Sequence, residues 1–287
     1  MSERRASGAR SGGRPSGRTV RAGRGPDARA TQRASQRVVH GVHPVRELLR
    51  AGRRLHEIVV ADTREASGPV ADIERLAAEA GVPVRHVRAD ELDRLAPDAV
   101  HQGVVALAPP FPLVDVERLL AHAEASGRPP LLVAVDGVTD PHNLGSIARS
   151  AEAVGAHGLV LPDRRSAPIT PVVEKAAAGA LAHLPVAGVT NLARTLVELG
   201  RAGVWSLGLD GEAEPTLAGH PLAAGPVVLV VGAEGGGLSR LVRERCDALV
   251  RLPMRGRVGS LNASVAAGVA LYTLLAAREA EQDAEQG

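Results

Sequence analysis

The 287-residue sequence predicts an α/β protein: two folded domains behind a basic tail, the C-terminal one built on a mostly parallel sheet with helices on both faces. Three observations predict it. Composition changes abruptly at Val38. From there, short apolar runs alternate with stretches of helical periodicity. A proline-rich stretch, PPFPLVD (109–115), divides these elements into two groups.

Residues 1–37 consist largely of Gly, Ser and Arg and hold too little apolar surface to fold, so they are expected to be disordered. They carry ten of the 34 basic residues and only two of the 32 acidic ones (Glu3 and Asp27), leaving 24 basic and 30 acidic residues for the rest. Such a tail suits a nucleic-acid-binding arm and equally a solvated terminus. It has no apolar segment of the kind a secretory signal needs, and no run approaches the ~18 residues of a membrane span, so a cytoplasmic location is expected. Cys246 is the one cysteine, which excludes an internal disulfide framework. Hydrophobic residues make up 45% and aromatics 1% (Phe111, Trp205 and Tyr272). The core must then be Ala, Val and Leu, and a bound nucleic acid must be held by Arg, backbone and shape more than by stacking.

In chain order, VHPVRELLRAG (42–52) reads as a short helix stopped at Gly52, and HEIVVA (56–61) as a strand. DIERLAAEAG (72–81) places Ile73, Leu76, Ala77 and Ala80 on one helical stripe closed by Gly81. Strand VPVRHV, helix ADELDRL and strand GVVALA (103–108) complete a small α/β domain over 38–110. A linker and short helix occupy 111–128. The second domain, 129–287, has strands at LLVAVD (131–136), GLVL (158–161), HLPVAG (183–188), VWSLGL (204–209), VVLVVG (227–232) and ALVRLP (248–253). Between and after them, helices are expected at NLGSIARSAEAVG, PVVEKAAAGA, NLARTLVELG, LSRLVRER and NASVAAGVALYTLLAARE. Ligands of such sheets bind at the carboxyl ends of strands, which singles out three loops.

The first, DGVTDPHNLGSIARSAEAVG (136–155), offers Asn143 as a helix N-cap, with Arg149 six residues on. Small and apolar neighbours (Ile147, Ala148 and Ala151) suggest that Arg149 has an anionic partner; alone, the loop also reads as a capped helix with a solvated arginine. His142 beside Asp140 reads as loop scaffolding. The second, VVLVVGAEGGGLS (227–239), lets the backbone approach a ligand closely. Glu234 stands where the dinucleotide fingerprint needs its second glycine, and no Walker A lysine follows. An acid there suits a neutral or cationic ligand; a generic glycine-rich turn is the alternative. The third, RLPMRGRVGSLNASVAAG (251–268), gathers Ser260, Asn262 and Ser264 at one helix N-terminus, either a hydrogen-bonding site or an ordinary capping cluster. The ten histidines show no metal-ligand spacing, so no metal is expected, and no G-x-S-x-G elbow is present.

Together the loops resemble the three motifs of the SpoU (TrmH-type) branch of the SPOUT RNA methyltransferases. DPHNLGSIARSAEA matches the first, VVGAEGGGL the second and LPMRGRVGSLNASVAAG the third, in the family's order and spacing. VVHGVHPVRELL and AVHQGVVALAP are similar to the edges of the substrate-binding domain in the branch that methylates a guanosine of 23S rRNA. The resemblance covers about residues 38–280 and leaves the tail aside.

The resemblance implies a deep C-terminal trefoil knot and a homodimer whose active sites are each completed by the partner subunit. The apolar C-terminal helix is then interface or core. It also implies S-adenosylmethionine as methyl donor, held by Gly232, Gly237, Leu252, Met254, Leu261 and Leu209. The reaction implied is 2′-O-methylation of RNA ribose, with Arg149 acting on the hydroxyl and Asn143, Glu234, Ser260 and Asn262 orienting it. A charged arginine is no base, so a base role needs a lowered pKa or a phosphate relay. Where Ala263 stands the family often has Val, a change of packing only. A tRNA or resistance-type rRNA ribose methyltransferase is the alternative within the family, and an RNA-binding protein without catalysis the alternative outside it.

Overall fold

The computed structural model describes residues 36–286 apart from 63–67 and 98. The expectation of disorder in the tail falls outside the described residues up to Ser35, whereas Arg37 is the first residue of a strand.

The N-terminal domain runs β1 (Arg37–His40), α1 (Val42–Arg50), β2 (Glu57–Ala61), α2 (Pro69–Glu79), β3 (Val84–Val87), α3 (Ala89–Leu95) and β4 (Val104–Ala108). Its sheet has the order β1-β4-β2-β3, with β4 antiparallel to both neighbours. Strand period 2 sends Ile58 and Val60 toward α1 and α2, and Val59 and Ala61 toward Leu92 of α3. β1 escaped the sequence reading because RVVH is too short to show a pattern; it exists through pairing with β4.

The C-terminal domain runs β5 (Leu113–Val114), α4 (Val116–Ser126), β6 (Leu131–Asp136), α5 (Pro141–Ala153), β7 (Gly158–Pro162) and α6 (Pro171–Ala177). It continues with a 3₁₀ turn (Ala180–Ala182), β8 (Val186–Val189), α7 (Leu192–Arg201), β9 (Trp205–Leu209), β10 (Val227–Gly232), α8 (Arg240–Arg245), β11 (Ala248–Val250) and α9 (Ala263–Gln286). The seven strands lie in the order β11-β9-β10-β6-β7-β8-β5, all parallel. Every residue of β6 and β10 is buried, which is why both are apolar runs and not alternating ones, interrupted only by Asp136 at the end of β6. Leu131, Val133 and Val135 face the core beneath α5 and α9; Leu132 and Ala134 face the core under α4 and α7.

Tertiary packing moves several boundaries. The linker contains β5, an edge strand on β8, ahead of the expected short helix, which is α4; its Leu119 leaves no room for a Cβ at Gly158. β8 starts three residues later than expected, because the 3₁₀ turn and Pro185 occupy its amino end. β11 stops at Val250, so Leu252 and Pro253 belong to the following loop.

The two domains meet through an ion pair, Arg37 Nη1 to Glu174 Oε1 at 3.1 Å, and through Arg53 Nε, which donates to Ala182 O at 2.7 Å. Burial pushes the Glu174 carboxyl up to about 7, against the opposing pull of Arg37.

Arg278 ties α9 to the sheet's amino end. Nη1 donates to Pro129 O, and Nη2 to Pro130 O and Gly225 O, at 2.6–2.7 Å. Hydrogen bonds from a charged donor contribute ~1.5–3 kcal/mol each, less where exposed, so Arg278→Ala is expected to cost about 2–4 kcal/mol in urea unfolding. A loss below ~0.5 kcal/mol would show that α9 is held by its apolar contacts alone.

His157, nearly inaccessible, sits at the same end. Its Nδ1 accepts from Leu131 N at 3.0 Å, so Nε2 carries the proton and donates to Ser126 Oγ at 2.8 Å. Burial first, then the charges of Arg128, His122 and Arg278, lower its pKa to about 4 from 6.5. Between those values the unfolded chain binds a proton that the folded chain does not. Stability from this site is therefore complete above pH 6.5 and declines as pH falls toward 4, by up to about 3 kcal/mol. His157→Asn keeps an acceptor for Leu131 N, and its stability should fall less than the wild type's between pH 7 and 4.5. Parallel curves would refute the assignment.

Candidate active site

Strands β6 and β10 lie side by side at the centre of the sheet, with β7 and β8 to one side and β9 and β11 to the other. Their last residues, Asp136 and Gly232, are in register. The crevice at such a reversal of strand order is where open parallel sheets bind ligands, and the loops after β6, β10 and β11 all open onto it.

After β6 the chain turns at Gly137 (φ 80°) and enters α5. The N-cap is Asp140, not the expected Asn143: its carboxylate accepts from His142 N at 2.9 Å, and Pro141 fills the first helical position, where no amide is needed. Asn143 is thereby released to point inward, and it is buried. Gly145 lets α5 touch α6, since a Cβ there would meet Ala176 and the Val173 carbonyl.

After β10 the loop closes on itself through paired hydrogen bonds between Ala233 and Gly237. Gly235 and Gly237 hold φ values of 74° and 62°, which side chains disfavour. A Cβ on Gly232 would lie 2.5 Å from Gly237 O and 2.6 Å from Leu238 N. The Asp136 carboxylate accepts from Ser239 N at 2.6 Å and fixes the far end of the loop.

After β11 an exposed loop leads to Asn262, the N-cap of α9, whose Oδ1 accepts from Ser264 N, Ser264 Oγ and Val265 N. The opposite end of its amide completes a three-way junction. Asn262 Nδ2 donates to Asn143 Oδ1 at 3.0 Å and to Glu234 Oε2 at 3.1 Å, and Asn143 Nδ2 donates to the same Glu234 oxygen at 3.2 Å. Residues 91 and 119 positions from Asn143 thus join it in one network. Of the five residues expected at the reaction, the structure brings these three together.

Beside the junction is a cleft floored by Val231, Val250 and Leu252. Leu209, Gly232, Gly237, Leu252, Met254 and Leu261, the six residues expected to hold the cofactor, all line it, as do Glu234 and Ser260. Asp210, which the sequence reading missed, lines it too; its signal was an acid directly after a buried strand. Burial alone would raise the Asp210 carboxyl, but hydrogen bonds from Arg243 Nε and Glu212 N outweigh it and hold the group below its usual range. An apolar floor, close-approaching glycine backbone and two rim acids fit a ligand with an apolar body and cationic groups, as S-adenosylmethionine is. Cys246 is no nucleophile here: burial, then Asp247 and Asp136, push its thiol up to about 12.

Arg149 stands apart. It is exposed on α5, does not line the cleft and makes no ion pair with another described residue. The anionic partner expected from its apolar neighbours is not supplied by the described residues of its own chain. Those neighbours face the core, while Arg149 takes the opposite side of the helix. Among the described residues, no cluster of three or more His, Cys, Asp or Glu could hold a metal ion, and no helix is long and apolar enough to cross a membrane.

Comparison with known proteins agrees with this geometry. The SpoU rRNA Methylase family matches residues 130–272, and the RNA 2′-O ribose methyltransferase substrate binding domain matches residues 38–114. The 23S rRNA (guanosine-2′-O-)-methyltransferase RlmB of Pseudomonas putida is 44% identical, over 85% of this chain and 98% of that protein. A tRNA/rRNA methyltransferase of Mycobacterium sp. (strain KMS) is 48% identical, over 82% of this chain and 74% of that protein. The crystal structure of the SpoU methyltransferase AviRb from Streptomyces viridochromogenes with AdoMet superposes with a TM-score of 0.72 at 28% identity, over 88% of this chain and 94% of that one. The chain belongs to the SpoU methylase family of S-adenosylmethionine-dependent RNA 2′-O-methyltransferases.

Proposed function

We propose that the protein methylates the ribose 2′-hydroxyl of a guanosine in 23S rRNA. The observation that carries the chemistry is the Asn143–Glu234–Asn262 junction beside the cleft at the sheet's switch point. The rRNA assignment rests on the similarity to RlmB across both domains.

In this reading Gly232, Gly237, Leu209, Leu252, Met254 and Leu261 hold S-adenosylmethionine, which supplies an electrophilic sulfonium methyl group. Asn143 and Asn262 fix the Glu234 carboxylate, whose second oxygen is left to orient the ribose together with Ser260. Arg149 binds the substrate phosphate and stabilises charge developing on the 2′-oxygen. A charged guanidinium cannot take the proton, which passes to a substrate phosphate oxygen or to water. The chain between Gly232 and Asn262 forms a trefoil knot, a reading that rests on membership of the SpoU family.

The active unit is a homodimer. Val265, Val269 and Tyr272 form an exposed stripe on α9 at spacings of four and three residues, beside an apolar groove lined by Ala218, Gly268 and Ala276. Arg149, outside its own chain's cleft, serves the cleft of the second copy.

The test is methyl transfer from labelled S-adenosylmethionine to 23S rRNA, 16S rRNA and bulk tRNA, with the product mapped to ribose or base. Label on a 23S ribose supports the proposal. Label on tRNA would keep the chemistry and overturn the substrate, and no transfer to any RNA would favour a binding protein without catalysis.

The tail adds sequence-independent phosphate affinity through the nine arginines of residues 1–35. Deleting these residues, and leaving Arg37 in β1, should flatten the plot of log affinity against log salt; an unchanged slope would dismiss that role.

A further inference from the structure

Two acids line the cleft, and their partners set them apart. Glu234 receives neutral amide donors, from Asn143 and Asn262, and no cation among the described residues pairs with it. Asp210, between the lining residues Leu209 and Gly211, is instead held by a cation. Arg243 Nε of α8 donates to its Oδ2 at 2.5 Å, and Glu212 N donates to its Oδ1 at 2.9 Å. The charge of Glu234 is left to act on the cleft, whereas that of Asp210 is largely offset by the guanidinium beside it.

A carboxylate offers about four lone-pair directions, so each Asp210 oxygen keeps acceptor capacity after these two bonds. The side chain is 14% exposed and already fixed, so a ligand need not order it. Burial opposes ionisation, but the bonds from Arg243 and Glu212 N keep the carboxyl below its usual range, and the group acts as an acceptor only. A charge-compensated pair of acceptor oxygens suits two neutral hydroxyl donors better than it suits a cation. S-adenosylmethionine carries one such pair, the 2′- and 3′-hydroxyls of its ribose, while its sulfonium and ammonium groups suit the uncompensated Glu234. Strand order agrees with this division. Asn143 follows β6 and Asp210 follows β9, on opposite flanks of β10. The methyl group has to reach the Asn143 junction, which leaves the Asp210 flank to a part of the cofactor that does not react.

We propose that Asp210 binds the ribose diol of S-adenosylmethionine through its two carboxylate oxygens, with Arg243 as the positioning residue that fixes them. An acid near the end of a parallel strand takes a ribose hydroxyl by the same chemistry in dinucleotide-binding sheets. Asp210 thereby sets how tightly the cofactor is held and takes no part in methyl transfer. The inference rests on the cleft being the cofactor site, as proposed above, and assigns one of its walls to one part of the cofactor.

Calorimetric titration of the full chain compares the wild type with Asp210→Asn, which keeps the shape and an acceptor for Glu212 N. The ligands are S-adenosylmethionine, 5′-methylthioadenosine, which lacks the amino-acid part and the charge, and the 2′,3′-dideoxy form of the latter. Asp210→Asn should weaken the first two alike, by about 10–100-fold, and should bind the dideoxy form as the wild type does. Methyl transfer at saturating cofactor should stay within about threefold of wild type, the signature of lost binding that is equal in ground and transition states. A loss confined to S-adenosylmethionine would place Asp210 on the amino-acid part, and an equal loss for all three ligands would make its role structural. Either result overturns the diol contact, as does unchanged binding of all three. Failure of the wild type to bind S-adenosylmethionine would overturn the cofactor site itself.

Discussion

Replacing Arg149 with Ala lowers the single-turnover rate of methyl transfer by about 10²–10⁴-fold, the range for removing one group that acts on developing charge or a moving proton. Affinity for S-adenosylmethionine stays near the wild-type value, because Arg149 does not line the cofactor cleft. Folding stability also stays near wild type, since the side chain is exposed and pairs with no other described residue. Arg149→Lys keeps the charge but not the fork that grips phosphate oxygens, and should recover only part of the rate. If Arg149 serves the cleft of a second copy, mixing Arg149→Ala with a cofactor-site variant restores activity. A mixed dimer then has one cleft that is intact and also faces an intact arginine, so random assortment returns about a quarter of the sites. No recovery on mixing would place the arginine in its own chain's site. An unchanged rate in Arg149→Ala would remove it from the mechanism.

Gly232→Ala abolishes cofactor binding, weakening it at least ~100-fold, about 2.7 kcal/mol or more. The added Cβ would lie 2.5 Å from Gly237 O and 2.6 Å from Leu238 N. Those are backbone atoms and cannot swing aside as a side chain would. The loop is also held at both ends, by the Ala233–Gly237 hydrogen bonds and by Asp136 on Ser239. The strain must therefore displace the strand end or the loop that lines the cleft, with an accompanying cost of ~1–3 kcal/mol in stability. Gly236→Ala is the matched control: the nearest atom to its Cβ is the Ala233 methyl at 3.9 Å, so binding should change little. Calorimetric titration with S-adenosylmethionine, alongside urea unfolding, separates loss of the site from loss of the fold. Near-wild-type binding in Gly232→Ala would show that the cofactor does not depend on this turn.

Alternation of apolar runs and helical stripes was enough to predict an α/β chain with a parallel C-terminal sheet, because a strand buried on both faces reads as a near-continuous apolar run, as β10 does and as β6 does up to Asp136. The three loops were legible for a similar reason: glycines, amides and single acids at strand ends are residues that a core cannot use. What the sequence could not show is contact at a distance. β1 and β5 are four and two residues long, and only their partners β4 and β8 make them strands. The N-cap of α5 was assigned to Asn143 on local spacing, but Asp140 takes that place, and the freed amide joins Glu234 and Asn262 from loops 91 and 119 residues away. Small and apolar neighbours likewise suggested an anionic partner for Arg149, whereas the helix turns it outward, away from its own cleft and from the described acids of its own chain. The sequence by itself determined the fold class and the family, and it named six residues that the structure gathers around one cleft, since periodicity and loop motifs are local properties written in consecutive residues. Only the tertiary structure decided which side chains meet and that Asp210 borders the cleft, because those depend on how the strands are ordered in the sheets.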